Sequence, residues 1–277
     1  LVQLFYWGTN QQIIQRALGA KDLKEGQKGL LLASFIKILG PLIVVLPGLI
    51  AFHLFEGNLQ SADSAYPELV RKVLPSAWVG FFAAVLFGAI LSSFNSVLNS
   101  SVTLFGVDVY KQHINKEADE KTVVKYGKTF GVILAIVAMF IAPLIANAGS
   151  LFDYLQKING IYSIPILTII IVGYLTKYVP AIAAKIGLVC GCLLYIIYLL
   201  IDIYSPETFS SLHFLDIMAI LFGLNVAIML LIGKIKPRKE PYVLVYTNQV
   251  DITPWKYVNI TGLIISLFVV LIYIYFA

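Results

Sequence analysis

The chain has 277 residues, 59% hydrophobic and 13% charged, with a formal net charge of +5. Soluble domains carry about a quarter charged residues, so this composition excludes a water-soluble enzyme or binding module. The positive balance is no nucleic-acid footprint, because the basic residues fall in alternate loops rather than along one stripe.

Apolar stretches near 30–55, 77–107, 129–147, 151–176, 186–203, 211–233 and 257–277 predict about seven spanning helices. Each approaches the roughly 20 residues that a bilayer requires. None alternates with period two over about ten residues, which argues against a barrel. Ahead of them, a shorter apolar segment runs from Leu1 to about Ile14. No charged region and cleavage site precede it, so it reads as the second half of a longer helix and the chain as a C-terminal fragment.

The loop near 15–29 carries Arg16, Lys21, Lys24 and Lys28 and has room for a short helix, whereas that near 56–76 has only Arg71 and Lys72. Lys111, Lys116, Lys121, Lys125 and Lys128 follow, then a loop near 148–150 without a base. Lys177 and Lys185 come next, then a loop with Asp202 and Glu207, and last Lys234 to Lys256. This alternation predicts a multi-pass plasma-membrane protein, with residues 15–29 inside and the C-terminus outside.

Within the first span, Lys37 lies eight residues into the run Leu30–Phe52. An ammonium at that depth costs about 2.5–3.5 kcal/mol and normally faces a partner or a polar pathway. Gly40, Pro41, Pro47 and Gly48 interrupt the same run, and Pro143 and Pro165 two later ones. Interrupted helices at membrane depth are tolerated where they line a cavity. Ala65–Leu74 can form a surface helix, and His113–Lys128 a charged hairpin.

The next span is rich in hydroxyls and amides. Ser92, Asn95 or Ser96, Asn99 and Thr103 share a helix face, with Ser93, Ser96 and Ser100 in an adjacent row. Small hydroxyl residues let helices approach closely, yet neutral oxygens also suit a hard cation, and sodium is the natural candidate. Further on, Asp153, Gln156, Lys157 and Asn159 open another span. Asp153 and Lys157 are spaced as a local ion pair, and the Gln156 amide offers donors and an acceptor to a hydroxyl-rich ligand. Cys190 and Cys192 lie within one span and read as packing residues. No HEXXH, no G-x-S-x-G and no paired intramembrane acids occur, so the chain does not read as an enzyme.

Three separated stretches resemble the sodium/solute symporter family, above all its bacterial sodium/galactose and animal sodium/glucose members. They are Tyr6–Gln11 with Gln15–Lys21, Leu91–Ser93 with Leu98–Ser100, and Phe152–Gln156. The resemblance implies an all-α fold of the leucine-transporter type, with two inverted five-helix repeats. Residues 1–176 would form the second repeat, its first helix truncated, and 177–277 three peripheral helices. It further implies that Tyr6 stacks on a sugar as an inner gate, while Lys37 and Gln156 contact sugar hydroxyls. The carbonyl of Ala89 with Ser92 and Ser93 would form half of a sodium site. Gln3 stands where the galactose symporter has an asparagine contact. The remaining ligands would come from an N-terminal half of the same transporter. The implied function is sodium-coupled import of a small polar solute, a monosaccharide first. Sialic acid, proline, inositol or pantothenate, a proton-coupled carrier and a transporter-like sensor are the alternatives.

Overall fold

The computed structural model describes residues 1–145, 150–209, 211–244 and 250–276. Two interruptions come early. α1 (Val2–Gly8) stops at Thr9, and the Asn10 side chain accepts from the Gln12 N–H at 2.9 Å to open α2 (Gln11–Leu18). The apolar segment that runs to about Ile14 is therefore divided between two helices, because Asn10 caps the second. Asp22 caps α3 (Leu23–Lys37) by accepting from the Glu25 N–H at 2.8 Å. α3 ends at Lys37, and α4 (Gly40–Leu54) resumes two residues later. Pro41 has no N–H to give the carbonyl four residues earlier, which is that of Lys37, so the break follows from sequence.

α5 (Ala65–Val73) is the expected surface helix. α6 (Ser76–Leu104) runs on as a π-helical segment, Phe105–Ile114, which sequence did not announce. α7 (Glu120–Ile145) begins inside the stretch expected as a hairpin, which shrinks to 115–119. Asp119 sets that start by accepting from the Thr122 N–H at 3.1 Å, and bonding to Thr122 holds its carboxyl below the usual carboxylate range. The remaining helices are α8 (Leu151–Leu175), α9 (Ala181–Tyr204), α10 (Phe214–Ile235) and α11 (Val258–Phe276). No strand occurs among the described residues. Residues 148–149 of the loop expected near 148–150 and 245–249 of the long last connection lie outside the described residues.

Seven segments are long and apolar enough to cross a membrane: Leu23–Leu54, Ser76–Ile114, Glu120–Ile145, Leu151–Leu175, Ala181–Tyr204, Phe214–Ile235 and Val258–Tyr275. They correspond to the seven expected stretches, with ends displaced by up to nine residues, as at the start of Glu120–Ile145, where 129 is the expected start.

The chain packs as two units. One comprises Leu1–Ile14 and Phe152–Gln249, the other Gln15–Leu151 and Val250–Ala277. In the first, α8, α9 and α10 share a core of Ile164, Tyr195, Tyr198, Phe214, Ile217 and Met218. Glycine makes this possible: a Cβ on Gly160 would lie 2.2 Å from Cζ of Tyr195, and one on Gly191 2.8 Å from Nδ2 of Asn225. Without a bilayer-driven hydrophobic effect between helices, such close approach is the main source of attraction. α1 joins through buried Phe5, whose ring meets Tyr162 of α8 edge-on at 5.9 Å, and through Val2.

In the second unit, α7 lies against α6 through Gly127 and Gly131, where a Cβ on Gly131 would fall 2.7 Å from Val102 Cγ2. Stacked pairs Phe105–Phe130 at 4.2 Å and Tyr110–Tyr126 at 4.4 Å fasten the π-helical segment to α7. α3 and α11 meet at their polar ends, where Gln27 accepts from the Trp255 N–H at 2.7 Å and the Asp251 carbonyl from the Leu23 N–H at 3.1 Å.

Candidate functional site

The hydroxyls of the polar stripe on α6 divide into two sets. Ser96 donates to the carbonyl of Ser92 at 2.8 Å, Ser100 to Ser96 at 2.9 Å, Ser101 to Val97 at 3.0 Å and Thr103 to Asn99 at 2.8 Å. These four satisfy themselves on their own helix, the usual local solution for a hydroxyl within a helix. Ser92 and Ser93 make no such bond among the described residues, and both are exposed. Ala89 is spaced i, i+3 and i, i+4 from them and so shares their face. A Cβ on neighbouring Gly88 would meet nothing within 4 Å, so this stretch of α6 is open. Three oxygen sources thus lie within about one turn.

Lower on the same helix the stripe is occupied. Arg16 of α2 donates to the Ser96 hydroxyl, and Gln15 donates to Thr103 Oγ1 at 3.4 Å. A guanidinium on Ser96 disfavours a second cation there. Ser92 and Ser93, expected with the Ala89 carbonyl as half of a sodium site, are thus the stripe's hydroxyls that no helix carbonyl takes up. The Arg16 and Gln15 contacts were not legible in sequence because the paired residues lie 80 and 88 positions apart.

The residues expected on the solute side fall into both units. Gln3 and Tyr6 are on α1 and Gln156 is on α8, the two helices joined by Phe5 and Tyr162. Tyr6 is exposed and meets the Trp7 ring edge-on at 5.7 Å, while Gln3 accepts from the Trp7 indole N–H at 3.2 Å. Gln156 is half-buried. Lys37 belongs to the other unit, as do Ala89, Ser92 and Ser93, and it forms the exposed last residue of α3 at the break.

Beside Gln156, Lys157 Nζ reaches Asp202 Oδ2 at 2.8 Å, bridging α8 to α9, a partner beyond the expected local one, Asp153, whose charge also attracts it. Asp202, expected in a loop, sits in the last turn of α9. An acid ending an apolar helix was the available signal, because such a group needs a partner. Replacing Asp202 with asparagine is expected to cost about 1 kcal/mol. The two side chains are 36% and 27% exposed, which places the pair below the cost of breaking a fully buried one. A melting temperature lower by about 2–4 °C is the readout. The double variant Lys157→Leu/Asp202→Leu should return close to the parent, since paired apolar replacement leaves no lone charge.

Comparison with known proteins adds the following. The profile described as sodium:solute symporter family matches residues 2–191. An uncharacterized symporter of Escherichia coli strain K12, YidK, is 48% identical over 264 residues, 95% of this chain and 45% of its own length. The sodium/glucose cotransporter of Vibrio parahaemolyticus is 38% identical over 207 residues, covering 69% of this chain and 38% of its own. Sodium/myo-inositol cotransporter 2 of Oryctolagus cuniculus is 32% identical over 269 residues, 86% and 40% respectively. The chain therefore spans less than half the length of each of these relatives.

Proposed function

Because the chain belongs to the sodium:solute symporter family, a family of membrane transporters and not of enzymes, we propose that it forms part of a sodium-coupled importer of a monosaccharide or a related small polyol. The observation that carries this reading is the pair of adjacent hydroxyls, Ser92 and Ser93, left without helix-carbonyl bonds beside Ala89 on an open face of α6. Neutral oxygens at that spacing replace part of the water shell of a small hard cation. In this reading Tyr6 stacks on the solute, and Gln3, Gln156 and Lys37 hydrogen-bond its hydroxyls. The remaining ligands come from parts of a longer protein. A cyclic polyol such as an inositol is the second reading, favoured by relatives named as myo-inositol cotransporters.

We further propose that residues 1–176 form the second repeat of a leucine-transporter-type fold and 177–277 peripheral helices. The loop charge pattern supports a C-terminus on the outer face. Coupling is then a difference in sodium affinity between the outward- and inward-open arrangements. One charge moving through 100 mV supplies about 2.3 kcal/mol, and a tenfold sodium gradient about 1.4 kcal/mol. Together they sustain accumulation of roughly a few hundredfold at one ion per solute.

Uptake of radiolabelled hexoses and inositols by proteoliposomes of the transporter containing this chain tests the reading. A sodium gradient should drive accumulation where a potassium gradient does not. Uptake driven by a pH gradient without sodium would replace it with a proton-coupled carrier. Sodium-driven uptake of proline or sialic acid alone would keep the symport and remove the solute roles of Lys37 and Gln156.

A further inference from the structure

The polar end of α7 has a face that takes no part in the proposed sodium or solute contacts. Lys121, Lys125 and Lys128 recur at i, i+4 and i+7, so all three stand on one side of the helix. With Val124, Thr129 and Val132 they line an open depression of about 450 Å³. The packed side of α7 is the opposite one, where Gly127 and Gly131 touch Val102 and where Tyr126 and Phe130 stack. Of the nearby acids, Asp119 keeps its charge but turns its carboxylate to the Thr122 N–H at the helix start, and Glu120 lies about 100° round the helix from Lys121, so three cations share the face.

Below the lysines the same face turns wholly apolar. Val132, Ile136 and Met139 continue its line at 60%, 49% and 75% exposure. The order along the helix is thus cation, hydroxyl, hydrocarbon, over a span that enters the membrane. A free anion would use only the upper part. An amphiphile with a phosphate at its polar end and acyl chains below uses all of it.

We propose that this face of α7 is a binding site for an anionic phospholipid, its phosphate held by Lys121, Lys125 and Lys128 and its chains laid along Val132, Ile136 and Met139. The loop pattern assigns this end of α7 to the inside, the face on which membrane anionic lipid is attractive to basic clusters. Each lysine near such a surface is worth about a fivefold preference, so three multiply to on the order of a hundredfold at low salt.

Native mass spectrometry of the purified transporter containing this chain, titrated with phosphatidylglycerol, cardiolipin, phosphatidylcholine or inorganic phosphate, tests the assignment. The parent should retain the two anionic lipids in preference to phosphatidylcholine. K121Q/K125Q/K128Q should lose about a hundredfold of that preference, and K125Q alone about fivefold, which preserves the test if the triple variant folds poorly. K234Q/K236Q/K239Q, with the same change of charge elsewhere, should keep it. Equal loss in both triple variants, or loss in neither, overturns the proposal. Displacement of the lipid by inorganic phosphate at equal concentration also overturns it, because the site then reads a bare anion.

Discussion

Replacing Ser93 with alanine is expected to raise the sodium concentration for half-maximal uptake by about tenfold or more, with little change in the rate at saturating sodium. A polar contact to a charged partner contributes about 1.5–3 kcal/mol, and each 1.4 kcal/mol is a factor of ten. Ser93→Thr keeps the oxygen and should stay within a few-fold of the parent. Ser101→Ala provides the contrast, because that hydroxyl already donates to the Val97 carbonyl at 3.0 Å. It should leave the sodium titration unmoved. If Ser93→Ala behaves like Ser101→Ala, Ser93 is no ligand and the sodium site must be sought elsewhere. Ser92→Ala should follow Ser93→Ala, since both hydroxyls lie on the stretch shared with Ala89.

Gly160→Ala is expected to be the most damaging glycine-to-alanine change among the described residues. Its Cβ would stand 2.2 Å from Cζ and 2.3 Å from the hydroxyl of Tyr195, and 2.7 Å from Cε of Met218. Tyr195 is only 1% exposed and belongs to the core joining α8, α9 and α10, so its rigid ring has no room to retreat. Overpacking of this kind costs about 3 kcal/mol, enough to lower the melting temperature by several degrees. Tyr195→Leu in the Gly160→Ala background should recover part of the loss by removing the ring. Gln156 stands one turn from Gly160 on the same helix, so the solute titration should weaken along with stability. A variant that melts like the parent would show that Tyr195 does not pack against Gly160.

Much of this architecture is written in composition alone. A run of about 20 apolar residues has few fates other than a spanning helix, so all seven segments were legible. The break after Lys37 was legible too, because Pro41 lacks a donor whatever surrounds it. Interactions between distant segments were not. The partner of Lys157 lies 45 residues away, and local spacing offered Asp153 as a nearer answer. The division of the α6 hydroxyls was equally hidden, since Ser93 and Ser101 look alike in sequence and differ only in what their oxygens meet. The π-helical segment left no mark because it depends on Phe105 and Tyr110 finding ring partners on α7. Of the candidate site, residue types and helices could be read, but not which hydroxyls their own helix already satisfies.

The break at residues 38–39 alters how the charge of Lys37 is compensated within the membrane. An uninterrupted helix would bury its polar ends at the two surfaces and leave the ammonium to seek a carboxylate. Here α3 ends at Lys37 itself, and a helix terminus of this polarity carries about half an elementary negative charge in its last carbonyls. Those carbonyls put partial negative charge on the turn that carries the lysine, and the start of α4 at Gly40 puts partial positive charge just beyond it, so the interruption makes a short stretch of membrane-depth backbone polar that a continuous helix would have left neutral.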